Sequence, residues 1–397
     1  MTLSQTHAIT PSAASTFSGL APIVSAVFLG FLAFSFPLGA LSLEIGNRLG
    51  FDTVLVGAVI GLQSLATLLT RHKAGALADH RGPRFAVLWG LPITASSGLA
   101  YALSGTLPVS AIGSLALLIA GQLIMGLGQS LFLTGLMSWG IARMGESRTG
   151  KVMSWTGIAI YASLAVGAPA GLAVQTAHGF AGVGLVALIA PAIALVICLI
   201  LPATPASGSL RVPFHQVIGL IWEPGLVLAL ATVPFAAMES FLPLYYAAYG
   251  WSQPGVALFA FGAAYIFVRL IGSGFADRFG AAPVAIASLI LEAAGQVLLW
   301  LAPSPSMAAV GAALTGAGFS LIFPAMGALV TRSVPAAQRG RAVGNFIAFS
   351  DIALGVTGPA VGLLSQSTGI ASAFLVGACA TCAAVLLLPS VRARSTT

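Results

Sequence analysis

Apolar runs of membrane-spanning length follow one another along almost the whole chain, parted only by short stretches of Gly, Pro, Ser and charged residues. The hydrocarbon core of a bilayer takes about 20 apolar residues per helix, so each run reads as a transmembrane α-helix. Twelve fit, near Pro22–Leu43, Thr53–Thr70, Arg84–Leu103, Val109–Gly140, Val152–Gln175, Ala181–Leu201, Pro224–Ala247, Pro254–Ile271, Pro283–Leu301, Met307–Thr331, Ala342–Gln366 and Ala371–Pro389. Composition leaves no room for a water-soluble globule: 58% of the 397 residues are hydrophobic and 6% charged, and mean hydropathy is +1.01, too little polar surface to face water.

The formal charge of +7 and the pI near 9.8 raise nucleic-acid binding, which needs a basic patch on a soluble face. This chain offers no such face. Retention of Lys and Arg on the cytoplasmic side explains the excess better. With the N-terminus inside, Arg71, Lys73, Arg81, Arg84, Arg143, Arg148, Lys151, Arg211, Arg269, Arg278, Arg332, Arg339, Arg341, Arg392 and Arg394 fall at inner ends, and of the 16 cations only Arg48 falls outside. The expected location is therefore the cytoplasmic (inner) membrane of a bacterium, with both termini cytoplasmic. Residues 1–21 read as an N-terminal tail without a cleavable signal, 22–201 as one six-helix bundle, 202–223 as a cytoplasmic linker, 224–389 as a second bundle and 390–397 as a C-terminal tail. Cys198, Cys379 and Cys382 lie in apolar runs and pack as small side chains, the C-x-x-C spacing of the last two notwithstanding.

The halves repeat each other. Arg71 and Arg269, Asp79 and Asp277, and Gly82 and Gly280 each stand 198 residues apart. Gly121, Gly126, Gly128, Ser130 and Leu131 recur 190 residues later, as does Pro169 at Pro359. Parallel halves of this kind place a solute site between them at mid-depth.

Gly75-Ala-Leu-Ala-Asp79-His-Arg-Gly82-Pro-Arg84 resembles the inner loop motif of the major facilitator superfamily between spans two and three, and Gly272-Ser-Gly-Phe-Ala-Asp277-Arg278-Phe-Gly280 its degraded second copy. Glycines let helices turn and approach closely, and an Asp near a helix N-terminus accepts bonds from Arg. Gly75, Asp79, Gly82, Arg84 and Arg71, with Asp277, Arg278, Gly280 and Arg269, are the expected conformational latch. Lys151–Gly171, Ala313–Ala325 and Ser350–Pro359 resemble the YhhS-type branch, grouped with sugar-efflux and multidrug-efflux permeases. Gly358-Pro359-Ala-Val-Gly362 is similar to the antiporter motif, while Gly167-Ala-Pro169-Ala-Gly171 is displaced by one residue. The resemblance implies an all-α membrane protein with twelve transmembrane helices in two pseudo-symmetric six-helix bundles. It also implies a monomer moving a small solute by alternating access, with protons as coupling ion and no cofactor. Efflux members carry an Arg in span four where this chain has Gln122, which cannot hold charge.

A charge at the bilayer centre costs on the order of 3 kcal/mol, which singles out Glu239 and Asp351 as proton-coupling candidates, with buried structural hydrogen bonding as the alternative. Glu292, in a peripheral span, reads as packing. With no basic residue expected at that depth, the acids are either protonated or face water. By resemblance, helices one, four, seven and ten line the cavity with Phe34, Phe36, Gln122, Gln129, Phe235, Met238, Glu239, Tyr245, Tyr246, Phe319 and Phe323, though aromatic residues at helical spacing are often only core. That surface suits a neutral or cationic amphiphile, since an anion would want a fixed cation. Arg71 and Arg269 read as snorkelling to the interface. Proton-coupled efflux is the leading function; import or facilitated passage of a sugar-like metabolite is the alternative. An intramembrane enzyme lacks support, with no H-E-x-x-H, no Ser-His pairing at depth and no nucleotide-binding loop.

Overall fold

The computed structural model describes residues 13–145, 148–206, 214–332, 334 and 339–394. In chain order the helices are α1 (Ala13–Leu43), closed by a π-helical turn at Glu44–Arg48, then α2 (Thr53–Arg81), α3 (Pro83–Thr106), α4 (Ala111–Met144), α5 (Thr149–Ile200) and α6 (Phe214–Ala248). They continue as α7 (Pro254–Gly272), the short α8 (Phe275–Phe279), α9 (Ala281–Trp300), α10 (Pro305–Arg332), α11 (Arg339–Thr368) and α12 (Ser372–Arg394). Among the described residues ten of these are long and apolar enough to cross a membrane, and Ser372–Leu388 is a shorter apolar helix. α5 holds two spans, divided at Gly179, whose φ of 69° and ψ of −177° lie outside helical geometry. The fold is thus twelve spans in two six-helix bundles. α1 already begins at Ala13 and α6 at Phe214, inside stretches whose composition reads as tail and linker. The linker core at 207–213, and with it Arg211, lies outside the described residues, as do 1–12 and 395–397.

The internal repeat is visible in the backbone. Gly82, between α2 and α3, has φ 93° and ψ 150°; Gly280, between α8 and α9, has φ 89° and ψ 149°. Only a residue without a Cβ adopts that conformation cheaply. Beside each turn an arginine lies over a ring, Arg81 over Phe85 at 5.0 Å and Arg278 over Phe279 at 5.1 Å. The copies differ upstream. α2 runs unbroken through Asp79 to Arg81, whereas the second copy leaves the helix after Gly272 and resumes as the five-residue α8 with Asp277 and Arg278 exposed.

The two halves meet along two seams, α2 on α11 and α5 on α7. At the Asp52 end of the first, Thr53 Oγ1 donates to the Gly362 carbonyl at 2.8 Å and Gln366 Nε2 to Asp52 Oδ2 at 3.0 Å. Gly57 and Gly358 then cross so closely that a Cβ on either would strike the other's carbonyl oxygen. Such crossings between small residues are how helices associate in lipid. The second seam has Gly255 on Pro169 and Gly262 on Ala165. Adding 198 to Gly57 gives Gly255 and adding 190 to Pro169 gives Pro359, so the seams are twofold copies.

Candidate functional site

Between the seams, where α1, α2, α4, α5, α6 and α11 converge, lies a cavity of about 110 Å³. Its polar side comes from α2, where Gln63, Ser64 and Thr67 fall on one face at helical spacing. Gln63 Nε2 donates to Gln129 Oε1 of α4 and to Thr67 Oγ1, and Ser64 Oγ donates to Gln63 Oε1 at 3.1 Å. Thr67 Oγ1 in turn donates to the Gly126 carbonyl at 3.1 Å, pinning the network to α4.

One helical turn beyond Thr67, Arg71 reaches across to α11. Its Nε donates to Asp351 Oδ2 at 2.8 Å and its Nη2 stands 2.6 Å from the same oxygen, with side-chain exposures of 19% and 10%. Asp351 lines the cavity. Such a charge-assisted pair between two halves is strong because it is largely withdrawn from water. This corrects two expectations: a cation does stand beside a deep carboxylate, and Arg71 does not snorkel. The reason is helix length. α2 continues to Arg81, so Arg71 sits about 15 Å of helix from that end at 1.5 Å rise per residue.

The opposite side is aromatic. Tyr161 of α5 stacks on Tyr265 of α7 with ring centroids 3.6 Å apart, and lies edge-on to Phe235 of α6 and Phe319 of α10, each at 6.2 Å. Phe235 stacks in turn on Phe261 at 5.3 Å and on Phe319 at 6.1 Å. Tyr161 and Phe235 face the cavity together with Phe31, Phe34 and Ser35 of α1. One turn past Tyr265, Arg269 is buried at 6% exposure and donates from Nη1 to the Ser320 carbonyl at 2.9 Å. It too does not snorkel; α5 and α10 close over it.

Of the sequence-predicted wall, Phe34, Gln129 and Phe235 line the cavity, and Phe319 backs it; Asp351, expected as a proton-coupling residue, lines it too. The others belong elsewhere. Gln122 is buried against α3, accepting a 2.7 Å hydrogen bond from the Tyr101 hydroxyl, whose ring fits over Gly121. Tyr245 and Tyr246 donate to the carbonyls of Leu299, in the last turn of α9, and of Pro305, the first residue of α10, at 3.0 and 2.9 Å. Met238 is buried in the core of the second bundle, Phe323 packs on Phe346 at 5.6 Å, and the Phe36 backbone lies against Gly171 within the first bundle. Glu239, one turn past Phe235, is 5% exposed, and among the described residues no cation stands within 4.0 Å of it. Glu292 is fully buried in α9 beside Gly318, both carboxylate oxygens without a partner among the described residues, and it does not line the cavity.

Sequence reasoning missed most of the cavity's polar side, Ser35, Gln63, Ser64 and Thr67, and with it Tyr161, Phe31 and the aliphatic Ile160, Leu164 and Leu354. The signal was available: three hydrogen-bonding side chains on one face of an otherwise apolar span, followed one turn later by an arginine, are unusual in lipid. Of the latch residues, Gly75 and Gly82 are buried, and Arg84 Nη2 donates to the Leu199 carbonyl at 2.8 Å. That bond ties the loop to the end of the sixth span.

Comparison with known proteins agrees with this architecture. The family model described as Major Facilitator Superfamily matches residues 23–262 and 252–396. An uncharacterized MFS-type transporter of Salmonella typhimurium, STM4428, is 39% identical over 364 residues, covering 92% of this chain and 94% of its own. The fold is similar to that of a D-xylose-proton symporter, with TM-score 0.78, 15% identity, and 95% of this chain and 97% of the other covered. It is also similar to the human organic anion transporter MFSD10 (TETRAN), with TM-score 0.72, 18% identity, and 95% and 100% covered. With its two halves, its inner-loop motif and a family match along nearly all of its length, the chain belongs to the major facilitator superfamily, as a multi-pass membrane transporter of small solutes.

Proposed function

We propose that the protein is a proton-coupled exporter of a small amphiphilic solute, working by alternating access in a bacterial inner membrane, with Asp351 carrying the coupling proton. The carrying observation is the Arg71–Asp351 pair, which joins the two halves at the wall of the cavity. Protonation of Asp351 removes the charge that holds Arg71 and loosens α2 from α11; its loss restores the pair and draws the seam together. Of the two acids that sequence reasoning singles out, Asp351 is favoured because it faces the cavity and bridges the halves, whereas Glu239 does neither. Both termini are assigned to the cytoplasm on the distribution of Lys and Arg. The tightly crossed Asp52 end is then the external face, and the Asp79 loop is a cytoplasmic latch that biases the two states. The resemblance of Lys151–Gly171, Ala313–Ala325 and Ser350–Pro359 to the YhhS-type branch, and that of Gly358–Gly362 to the antiporter motif, support export. The sequence-level preference for neutral or cationic solutes rested on the absence of a cavity cation, and the positions of Arg71 and Arg269 remove that ground.

The test is a proteoliposome assay of labelled solutes under an imposed pH gradient. Asp351→Asn should abolish accumulation against a gradient while permitting exchange of solute across the membrane. Uphill transport by the mutant with an unchanged pH response would defeat the coupling assignment, and uphill import by the wild type would defeat export in favour of uptake of a sugar-like metabolite.

A further inference from the structure

Arg269 is a cation nine-tenths buried, and among the described residues no carboxylate lies within 4.0 Å of its guanidinium. Its one hydrogen bond among them goes to the Ser320 carbonyl, which leaves most of its five N–H donors unused. Burying an unpaired charge is costly, and such cations in membrane proteins are retained where a mobile or fixed anion completes them. The twofold copy shows what completion looks like. Arg71 occupies the equivalent place in the first half and is neutralised by Asp351, whereas 190 residues before Asp351, opposite Arg269, the chain has Tyr161. Arg269 Nη2 comes within 3.8 Å of where a Cβ on Gly157 would stand, and Gly157 is one turn from Tyr161 on α5. The unpaired cation thus adjoins the ring wall of Tyr161, Tyr265, Phe235 and Phe319, and Tyr161 and Phe235 of that wall line the cavity. Asp351 is already engaged by Arg71, and Glu239 has no cation within pairing distance.

We infer that Arg269 is the anion-binding group for the transported solute, and that the solute is an organic acid with an aromatic or similarly flat apolar body lying on the Tyr161–Phe235 side of the cavity. The carboxylate takes the free N–H donors of Arg269, and the ring takes the apolar aromatic face. The inference rests on the transport reading above and names the substrate class of that same cavity.

The test is equilibrium binding to the purified full chain in nanodiscs, with no gradient imposed, so that an error in direction or coupling leaves its outcome untouched. Benzoate, phenylacetate and indole-3-acetate are each compared with the matching primary amide and with the matching amine. At least one acid should bind about tenfold or more tighter than its amide and its amine, as expected when a buried cation gains a charged partner. Arg269→Gln should erase that preference while leaving amide binding within about twofold, Arg269→Lys should keep part of it, and Tyr161→Leu should weaken acid and amide alike. The assignment is overturned if no acid outcompetes its amide, or if Arg269→Gln keeps the preference, which would move the anion to Arg71. It is equally overturned if the acid is displaced only by phosphatidylglycerol added to phosphatidylcholine discs, which would make Arg269 a lipid headgroup site.

Discussion

α2 and α7 occupy equivalent places in the two halves, begin on the same Gly-mediated crossing and carry an arginine at the same position, yet between Gly57 and Arg71 only Ala66, matching Ala264, is shared. Where α2 has Gln63, Ser64 and Thr67, α7 has Phe261, Gly262 and Tyr265, and where Arg71 meets Asp351, the residue equivalent to Asp351 beside Arg269 is Tyr161, one turn from the Gly157 that Arg269 approaches. The same split continues in α4 and α10, where Gln129 corresponds to Phe319. Duplication supplies the scaffold, and divergence at twofold-related positions gives one cavity a hydrogen-bonding wall and an aromatic one. The lesson is that a symmetric fold need not contain a symmetric site: the first seam is built to hold and release a charge pair, the second to offer an unpaired cation beside rings.

The sharpest way to break this comparison is to remove the two arginines in turn. Arg71→Leu leaves Asp351 buried without its partner, and losing one member of a buried pair costs about 3–5 kcal/mol, somewhat less here because the Arg71 side chain keeps 19% exposure. Arg269→Leu strands no carboxylate and should cost distinctly less. The double change Arg71→Leu with Asp351→Leu should recover much of the stability while leaving uphill transport abolished. Thermal unfolding of the purified proteins in one detergent is the measurement. Equal losses for the two single arginine variants would show that the seams are energetically alike.

A smaller effect is expected at the loop copies. The first keeps Asp79 on the unbroken α2 above the buried Gly75 and Gly82, while the second sets Asp277 on the exposed, five-residue α8. A rigid helix passes a change at its end on to the seam; a helix interrupted after Gly272 does so poorly. Asp79→Asn should therefore slow initial transport roughly tenfold, within the usual 1–3 kcal/mol of conformational coupling, and Asp277→Asn by less than about twofold. Rates in proteoliposomes matched for protein content decide it. A slower Asp277 variant would place the working latch in the second half.

Much of the fold is legible in the sequence because its determinants are local: run length gives the spans, and Gly82 and Gly280 mark the repeated turns. The cavity is less so. Spans one, four, seven and ten are expected to line it; α1, α4 and α6, the seventh span, do contribute, but most of the polar wall is carried by α2 and α11 and the central ring by α5. Arg71 illustrates why. Its place just ahead of a loop motif suggests an interfacial cation, and only the continuation of α2 to Arg81 shows that it lies deep enough to meet Asp351. Tyr245 and Tyr246 mislead in the other direction, since aromatic spacing cannot distinguish a ring facing solute from one whose hydroxyl bonds a backbone carbonyl of a neighbouring helix.

Gln122 gives the last and smallest contrast, because it stands where a proton-coupling arginine would be expected and faces α3 instead. It and Gln129 are seven residues apart, on nearly the same face of α4, but at the Gln122 level the Tyr101 hydroxyl fills the space and donates to the amide oxygen. A phenol fully buried in that bundle needs an acceptor, and leaving it without one costs about 1–3 kcal/mol. Gln122→Leu should lower stability by that amount with uphill transport and its pH response unchanged, whereas Gln129→Leu, at the cavity wall, should alter solute affinity. Adding Tyr101→Phe to Gln122→Leu removes both members of the bond and should return most of the loss, since the two apolar groups then pack without an orphan hydroxyl. Loss of pH-dependent transport in Gln122→Leu, with stability intact, would show that the amide works in the transport cycle after all and that the divergence of the two walls extends further along α4.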